Sequence, residues 1–472
     1  MNGEGHMNAW NSPGGLAQVL RVTLPLQLMA ASSAAYAFVD RMLLAKCSDL
    51  ALEASVPGLV LGGTLSAFMV TAVGYSAVFV AQSHGSGDRD GALRSFAQGL
   101  WLALASIPLY FLAHFAGRFA IWVAGHAPEL AAAESGFLDR YLPGLWLQSV
   151  AAVAGGYFSG QGRTSVFAVA GSAGFAAALF FAWVLVLGNC GAPRLGLNGS
   201  AYAFALGQLV SCAVLAVALL RDPHVRARMG ALRGLLRLEP RLALGVLRYG
   251  SENGAMAFFD NLTFMAFVMV TGRLDAMSLA VSNMVFGVNC VFFALVSGLR
   301  DGVSVLVGRF CGRRVYAAAE RSLRSTLAIS VAVAASFGAF VAFGAGWLAD
   351  SFRAADSAFG REAFRSLASV VFSILAFRAL AESFVEPCAG ALRGAGDTRW
   401  LMFTRTVCGI FVWMPAVALV AGVKPSLPAL WLTMPAYLAF LAFVYLRRWR
   451  SGRWRERAEQ MESARSSCPK AP

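Results

Sequence analysis

Long apolar runs alternate with short polar stretches along nearly the whole chain, and most of those polar stretches are rich in arginine. About twelve of the runs reach the roughly 20 residues that a helix needs to cross a bilayer. Their limits are 16–45, 56–82, 95–116, 137–160, 165–188 and 198–220, then 246–271, 278–308, 325–348, 363–391, 400–421 and 427–446. The pattern predicts an all-α polytopic membrane protein of about twelve transmembrane helices in two six-helix bundles.

The polar stretches set the orientation. The longest break, Arg221–Arg248, carries Arg221, Arg226, Arg228, Arg233, Arg237, Arg241 and Arg248. Leu232, Leu235 and Leu236 share a helical face there, with Arg233 and Arg237 elsewhere. An interfacial helix and a plain solvated linker are both open readings. The even-numbered loops hold Arg89 and Arg94, then Arg163, then Arg309, Arg313 and Arg314, then Arg393 and Arg399. The odd-numbered loops are poorer, with Lys46, Arg118, Arg194, Arg273 and Lys424, and the ninth, with Arg353 and Arg361, departs from the rule. By the positive-inside rule the even loops and both termini face the cytoplasm. The expected organisation is a cytoplasmic segment 1–15, a first bundle 16–220, a basic linker 221–245, a second bundle 246–446 and a basic tail 447–472. Arg21, the apolar run after it and Ala35-Tyr36-Ala37 imitate a cleavable signal peptide, but apolar character continues to Ala45, so an uncleaved first span is expected.

Composition removes other classes. The chain is 58% hydrophobic and 14% charged, well under the roughly 25% charged residues of a soluble domain. The net charge of +14 would suit nucleic acid, but the arginines fall beside apolar spans, which makes topology the better reading. The eight cysteines form no CxxC pair; Cys47 and Cys190 fall in outward-facing segments, and whether they pair stays open. The five histidines (His6, His84, His114, His126 and His224) are scattered, which speaks against a membrane enzyme acting on lipids. No Walker loop supports ATP hydrolysis.

The two halves repeat. SGDRDGALRS at 86–95 corresponds to CGRRVYAAAERS at 311–322, with Gly87 and Gly312 aligned. GQGRT at 160–164 corresponds to GAGDT at 394–398, inside the glycine- and arginine-rich turn Gly390–Arg399. Six-span repeats about an axis along the membrane normal are a common transporter plan. Together with Pro25, Asp40, Gln82, the turn 85–88 and Leu195–Ala201, these loops resemble the multidrug and toxic compound extrusion (MATE) family over about residues 16–446. The resemblance implies two bundles in a V around a central cavity and export of cationic or amphipathic compounds in exchange for Na+ or H+. It also implies a bacterial-type inner membrane and no cofactor beyond the coupling ion. A monomer is expected. There are departures: Ala170–Trp183 lacks the family's asparagines, Glu252 stands where span seven usually starts with proline, and Arg300-Asp301 interrupts span eight.

Carboxylates inside spans cost roughly 2.5–3.5 kcal/mol each on insertion scales, so they face a cavity or a partner. The candidates for ion coupling are Asp40, Asp260, Glu382 and Glu386. Asp40 matches the family's aspartate of span one, with an Arg41 ion pair as the alternative. Asp260 matches its acidic position in span seven, with Asn261 or Asn283 as polar contacts otherwise. Glu382 matches the acid of span ten and corresponds to Gln148 in the first half; a helical pair with Arg378 is the competing reading. Glu386 lies one turn on, beside Pro387, and Arg300 and Asp301 are expected to serve structure. Na+ at Asp260 and Glu382 would need further oxygens, for which Asn283 and Thr263 are candidates. Tyr36, Phe68, Asn283 and Phe286 are the candidates for a substrate cavity. The alternative function is a flippase for a lipid-linked oligosaccharide, which would favour a strongly basic cavity.

Overall fold

The computed structural model describes residues 10, 12–47, 49–124, 127–352, 360–423 and 425–466. His6, His126, Arg353 and Lys424 therefore lie outside the described residues. The described chain is helical throughout, with no strand. Eleven of its helical stretches are long and apolar enough to cross a membrane. Large apolar side chains such as Trp122, Phe343 and Phe411 stand exposed on them. Lipid, rather than water, is the solvent that suits such a surface.

By internal contacts the chain divides into two compact units. The N unit comprises 28–258, 308–315 and 459–472; the C unit comprises 1–27, 259–307 and 316–458. The division cuts through the helices Leu16–Cys47 (α1) and Pro240–Thr271 (α11) instead of falling in the basic linker.

In the N unit, the apolar run 56–82 becomes two helices, Asp49–Gly74 (α2) and Ser76–Gly85 (α3), which meet at Tyr75. The third run is also split, into Arg89–Ala105 (α4) and Ile107–Ala124 (α5). Pro108 explains the second break: it has no N–H to give the preceding turn, and Ser106 turns its hydroxyl back to the Ala103 carbonyl at 2.7 Å. Pro128–Gly160 (α6), Thr164–Leu187 (α7) and Leu197–Arg221 (α8) follow. α6 packs against α2, α3, α4, α5, α7 and α8 and so forms the centre of the unit. That position accounts for its composition. It is long enough to span, yet carries Glu134, Gln148 and Ser149 where lipid would exclude them.

The basic linker is not one interfacial helix. It folds as short turns, with helices Pro223–Ala227 (α9) and Leu232–Leu235 (α10) separated by a 3-10 turn. Leu235 and Leu236 pack on the N unit's core, Gln98 donates to the Arg237 carbonyl at 3.0 Å, and Trp101 donates to that of Leu236 at 2.8 Å.

The C unit has Ala276–Gly312 (α12), Tyr316–Phe352 (α13), Arg361–Gly394 (α14), Thr398–Cys408 (α15), Met414–Val423 (α16) and Leu427–Arg450 (α17), each largely within it. A π turn at Gly409–Trp413 joins α15 to α16. Arg453–Ser466 (α18) closes the described chain. α14 takes the central place, packed on α13, α15 and α17.

The sequence repeat is a packing repeat. A Cβ on Gly156 or Gly160 of α6 would run into Ala77 of α3; one on Gly390 or Gly394 of α14 would run into the backbone of Arg300 or Ser304 of α12. Small residues four apart let two helix backbones touch. The turn that follows each pair needs a left-handed residue, supplied by Gly162 (φ 81°) and Gly396 (φ 84°).

Candidate functional site

Among the described residues, each unit has a polar grouping within its helical bundle. The N unit holds a cavity of about 300 Å³ between α1, α2, α6, α7 and α8. Ser33, Tyr36, Asp40, Ser66, Thr71, Tyr141 and Gln148 supply its polar lining, with Phe175 and Phe204 among the apolar walls. No lysine or arginine is among its lining residues.

Asp40 is only 3% exposed. Its Oδ2 accepts a hydrogen bond from Ser200 Oγ at 2.8 Å, while its Oδ1 is buried with no hydrogen-bond partner. Ser200 belongs to the Leu195–Ala201 stretch, so that motif provides both the entry to α8 and the partner of Asp40. Gly199 lets the entry turn close on the Leu185 carbonyl. Arg41 is exposed and forms no ion pair with Asp40. Tyr36 stacks on Phe175 at 6.0 Å and leans on Phe204 at 6.1 Å. Phe68 packs, half-buried, on the apolar cluster beside the cavity and does not line it.

The C unit is arranged differently: among the described residues, the buried Glu382 and Glu386 and the partly buried Asp260 and Asp301 are each held by an arginine. Arg405 of α15 reaches Asp260 of α11 at 2.8 Å and Glu386 of α14 at 3.0 Å. The other oxygen of Glu386 takes Arg300 of α12 at 2.9 Å. Arg300 also meets Asp301 at 3.2 Å, and Asp301 meets Arg393 at 2.7 Å. One turn away Arg378 pairs with Glu382 at 2.8 Å and donates to Asn289 as well. Four acids thus face four arginines. The geometry explains why: a charge stripped of water in an apolar bundle is tolerable only beside its opposite.

Of the residues singled out in the sequence, Asp260 and Glu386 come together on one guanidinium, and Glu382 sits in the neighbouring pair. Asn283 is exposed and is not part of the group. The Thr263 hydroxyl is turned back to the carbonyls of Phe259 and Asp260, at 2.9 and 3.0 Å. Phe286 is packed against Trp431 (4.7 Å) and edge-on to Phe264 (5.2 Å). Glu252 is half-buried at the site of the missing proline. Cys47 and Cys190 are both free thiols; the Cys47 carbonyl instead accepts from Arg194 at 3.0 Å. Sequence reasoning missed Arg405. The signal was there, since a cation well inside the span 400–421 needs a buried acid for the same reason that a buried acid needs a cation. Among the described residues no group of three or more His, Cys, Asp or Glu could hold a metal ion.

The MatE family model matches residues 25–184 and 254–417, one match in each half. A probable multidrug resistance protein NorM of Pseudomonas aeruginosa is 27% identical over 414 residues, covering 86% of this chain and 83% of its own. The multidrug resistance protein PmpM of the same organism is 24% identical over 398 residues, covering 82% and 80%. A crystal structure of the Vibrio cholerae MATE transporter VcmN, in mutant form, superposes with a TM-score of 0.82 at 12% identity over 93% of this chain and 98% of that one. An outward-facing multidrug resistance MATE family transporter of the MOP superfamily gives 0.77 at 16% identity, over 98% and 100%. At such identities the structures speak to the fold alone.

Proposed function

The chain belongs to the MatE family of multi-pass membrane transporters, and from that premise we propose that it exports cationic or amphipathic organic compounds in exchange for protons carried by Asp40. The observation that carries the choice of residue is the state of its carboxylate. Asp40 lies in a cavity lined by neutral polar and aromatic side chains, with one oxygen buried and unpartnered. A buried acceptor left unpaired is costly, so the site favours whatever satisfies it: a proton on the carboxyl, or a positive group of the substrate. The two alternatives are mutually exclusive at one carboxylate, and that competition is what exchange transport requires.

The acids of the C unit are less suited to the task. Both oxygens of Glu386 are taken, Asp260 shares Arg405 with it, and Glu382 is bound to Arg378. A Na+ there would have to displace a tethered guanidinium and gather several oxygens around itself. The acidic cavity lining also gives an anionic sugar pyrophosphate nothing to bind, which leaves the flippase reading without support. Cytoplasmic termini and an inner-membrane location complete the proposal, on the arginine-rich even loops.

The test is transport of a fluorescent organic cation by purified protein in liposomes, with H+ and Na+ gradients imposed separately. Uptake driven by the proton gradient and abolished by Asp40→Asn is expected. Uptake driven by a Na+ gradient at equal pH on both sides would overturn the assignment.

A further inference from the structure

The central helices of the two units share a glycine pattern and differ in charge. Gly156 and Gly160 of α6 stand 234 positions before Gly390 and Gly394 of α14, and each pair brings two helices into close contact. The same offset sets Gly144 and Gln148 against Arg378 and Glu382. In α14 that arginine and acid lie one turn apart and pair at 2.8 Å, so the acid is neutralised by its own helix. In α6 both charges are missing.

A neutral amide and a tight helix contact stand in their place. Gln148 lines the N-unit cavity together with Asp40. It is half-buried, and among the described residues its side-chain amide has no hydrogen bond to the protein. That leaves the amide free to face a ligand. A Cβ on Gly144 would come within 2.7 Å of the Phe204 ring and 3.1 Å of the Ala205 backbone. Phe204 is itself a wall of the cavity. An arginine at position 144 would push that wall aside, so α6 has no room for the cation that neutralises the acid in α14.

The cavity therefore has a simple charge count. Among the described residues lining it, Asp40 is the only carboxylate, and there is no lysine, arginine or histidine. Its volume of about 300 Å³ is about ten times the ~30 Å³ that a water occupies in the liquid. Aromatic rings take up much of the wall: Tyr141 meets Phe204 at 4.8 Å, and Tyr36 meets Phe175 at 6.0 Å. Such faces suit a flat organic cation. One ionised Asp40 balances one positive charge. A second positive charge brought into the same space would lose its water and find no counter-charge, which is unfavourable.

We propose that Gln148 is the residue that restricts this cavity to singly charged organic cations, by keeping a second carboxylate out of it. The inference rests on the assignment of Asp40 as the acid that meets the substrate. A glutamate at 148 would add a carboxylate that no arginine neutralises. Two acids in one small cavity repel each other until a proton or a cation joins them. A doubly charged organic cation satisfies both at once, so the change from amide to acid exchanges one substrate class for the other.

The test is equilibrium dialysis of the purified full chain in detergent, at mildly alkaline pH, with two flat two-ring cations: methyl-phenylpyridinium with one charge and methyl viologen with two. The ratio of their affinities is the readout, and a melting curve checks each variant for folding. The wild type should prefer the single charge by about tenfold or more. Gln148→Glu should move the ratio by about tenfold or more toward methyl viologen. Gln148→Met removes the amide without changing the charge count and should keep the wild-type ratio. Equal binding of the two cations by the wild type overturns the proposal, and so does a folded Gln148→Glu protein with the wild-type ratio. If Gln148→Glu does not fold, the wild-type ratio decides. Asp40→Asn separates this inference from the assignment beneath it. Undiminished binding of methyl-phenylpyridinium by Asp40→Asn would remove both. Its loss, beside an unchanged ratio in Gln148→Glu, would leave Asp40 in place and strike the role of Gln148 alone.

Discussion

Asp397 receives both Nε and Nη2 of Arg448, at 2.7 and 3.2 Å, and the corresponding places of the first half hold Arg163 and Asp222 with the charges exchanged. Asp397 lies 234 positions after Arg163 in the aligned loops; Asp222 directly follows α8, and Arg448 lies in the last turn of α17. In both halves, then, the turn after the fourth span is latched to the end of the sixth. Each latching arginine also lies over an aromatic ring, Arg163 over Phe158 at 5.2 Å and Arg448 over Trp400 at 5.1 Å.

The two latches should differ in strength because they differ in burial. The Asp397 side chain is 1% exposed and that of Arg448 11%, whereas Arg163 is 45% exposed. Asp397→Ala should therefore cost about 3–5 kcal/mol, the range for breaking a buried pair. Arg163→Ala should cost only about 1 kcal/mol, since solvent screens the half-exposed arginine and Asp222 keeps two backbone N–H donors. Thermal unfolding of the two variants side by side checks the order; equal losses would show that burial does not decide it.

Asp40→Asn should leave the fold intact and remove proton-driven export. The amide keeps an acceptor for Ser200 and nearly the same shape, and no cation is stranded, because Arg41 is not paired with Asp40. Stability should change by about 1 kcal/mol or less. The measurement is a melting curve beside gradient-driven transport in liposomes. A well-folded Asp40→Asn protein that still exports down an imposed pH gradient would exclude Asp40 as the carrier.

Much of this was legible in the chain before any coordinates. Lipid demands helices long enough to span, so apolar run length alone found every long helix, and the glycine loops found the repeat because close helix packing needs those glycines. The breaks at Tyr75 and Ser106 fall inside apolar runs and left no mark on hydropathy. Asp40 and Gln148 were visible as polar residues in spans, and both line the N-unit cavity. Arg405 is hard to read from sequence because most arginines of this chain mark loops, and without it the acids of the C unit lack their main partner. The division at residues 27/28 and 258/259 depends on long-range packing, which a linker's composition does not report.

Glu386→Gln and Glu382→Gln should both reduce membrane abundance, the first more severely. Glu386 is the acid shared by Arg300 and Arg405, so neutralising it weakens two buried guanidinium contacts at once. Glu382 serves Arg378 alone, and Asn289 remains to accept from that arginine. Losses of about 3–5 kcal/mol for Glu386→Gln are expected on the buried-pair scale. Quantifying protein in membranes, together with detergent melting curves, tests the ranking. Full abundance of Glu386→Gln would mean that the network is dispensable for folding.

Arg405→Gln should turn the C unit's ion-pair cluster into a cation site. With the guanidinium present, Asp260 and Glu386 are neutralised by a charge covalently fixed to the chain, and a free ion has no role to fill. With glutamine there, two carboxylates converge on one place with only Arg300 left beside Glu386. Like charges so close cannot both stay ionised unless a cation or a proton joins them. Oxygen ligands from Asp260, Glu386 and the new amide are the kind that a hard monovalent or divalent cation accepts. Na+ at fixed ionic strength should therefore raise the melting temperature of Arg405→Gln and leave the wild type unchanged, with choline as the inert comparison. A Na+-dependent shift in the wild type would mean that Arg405 does not block the site, and would move ion coupling from Asp40 to the acids of the C unit.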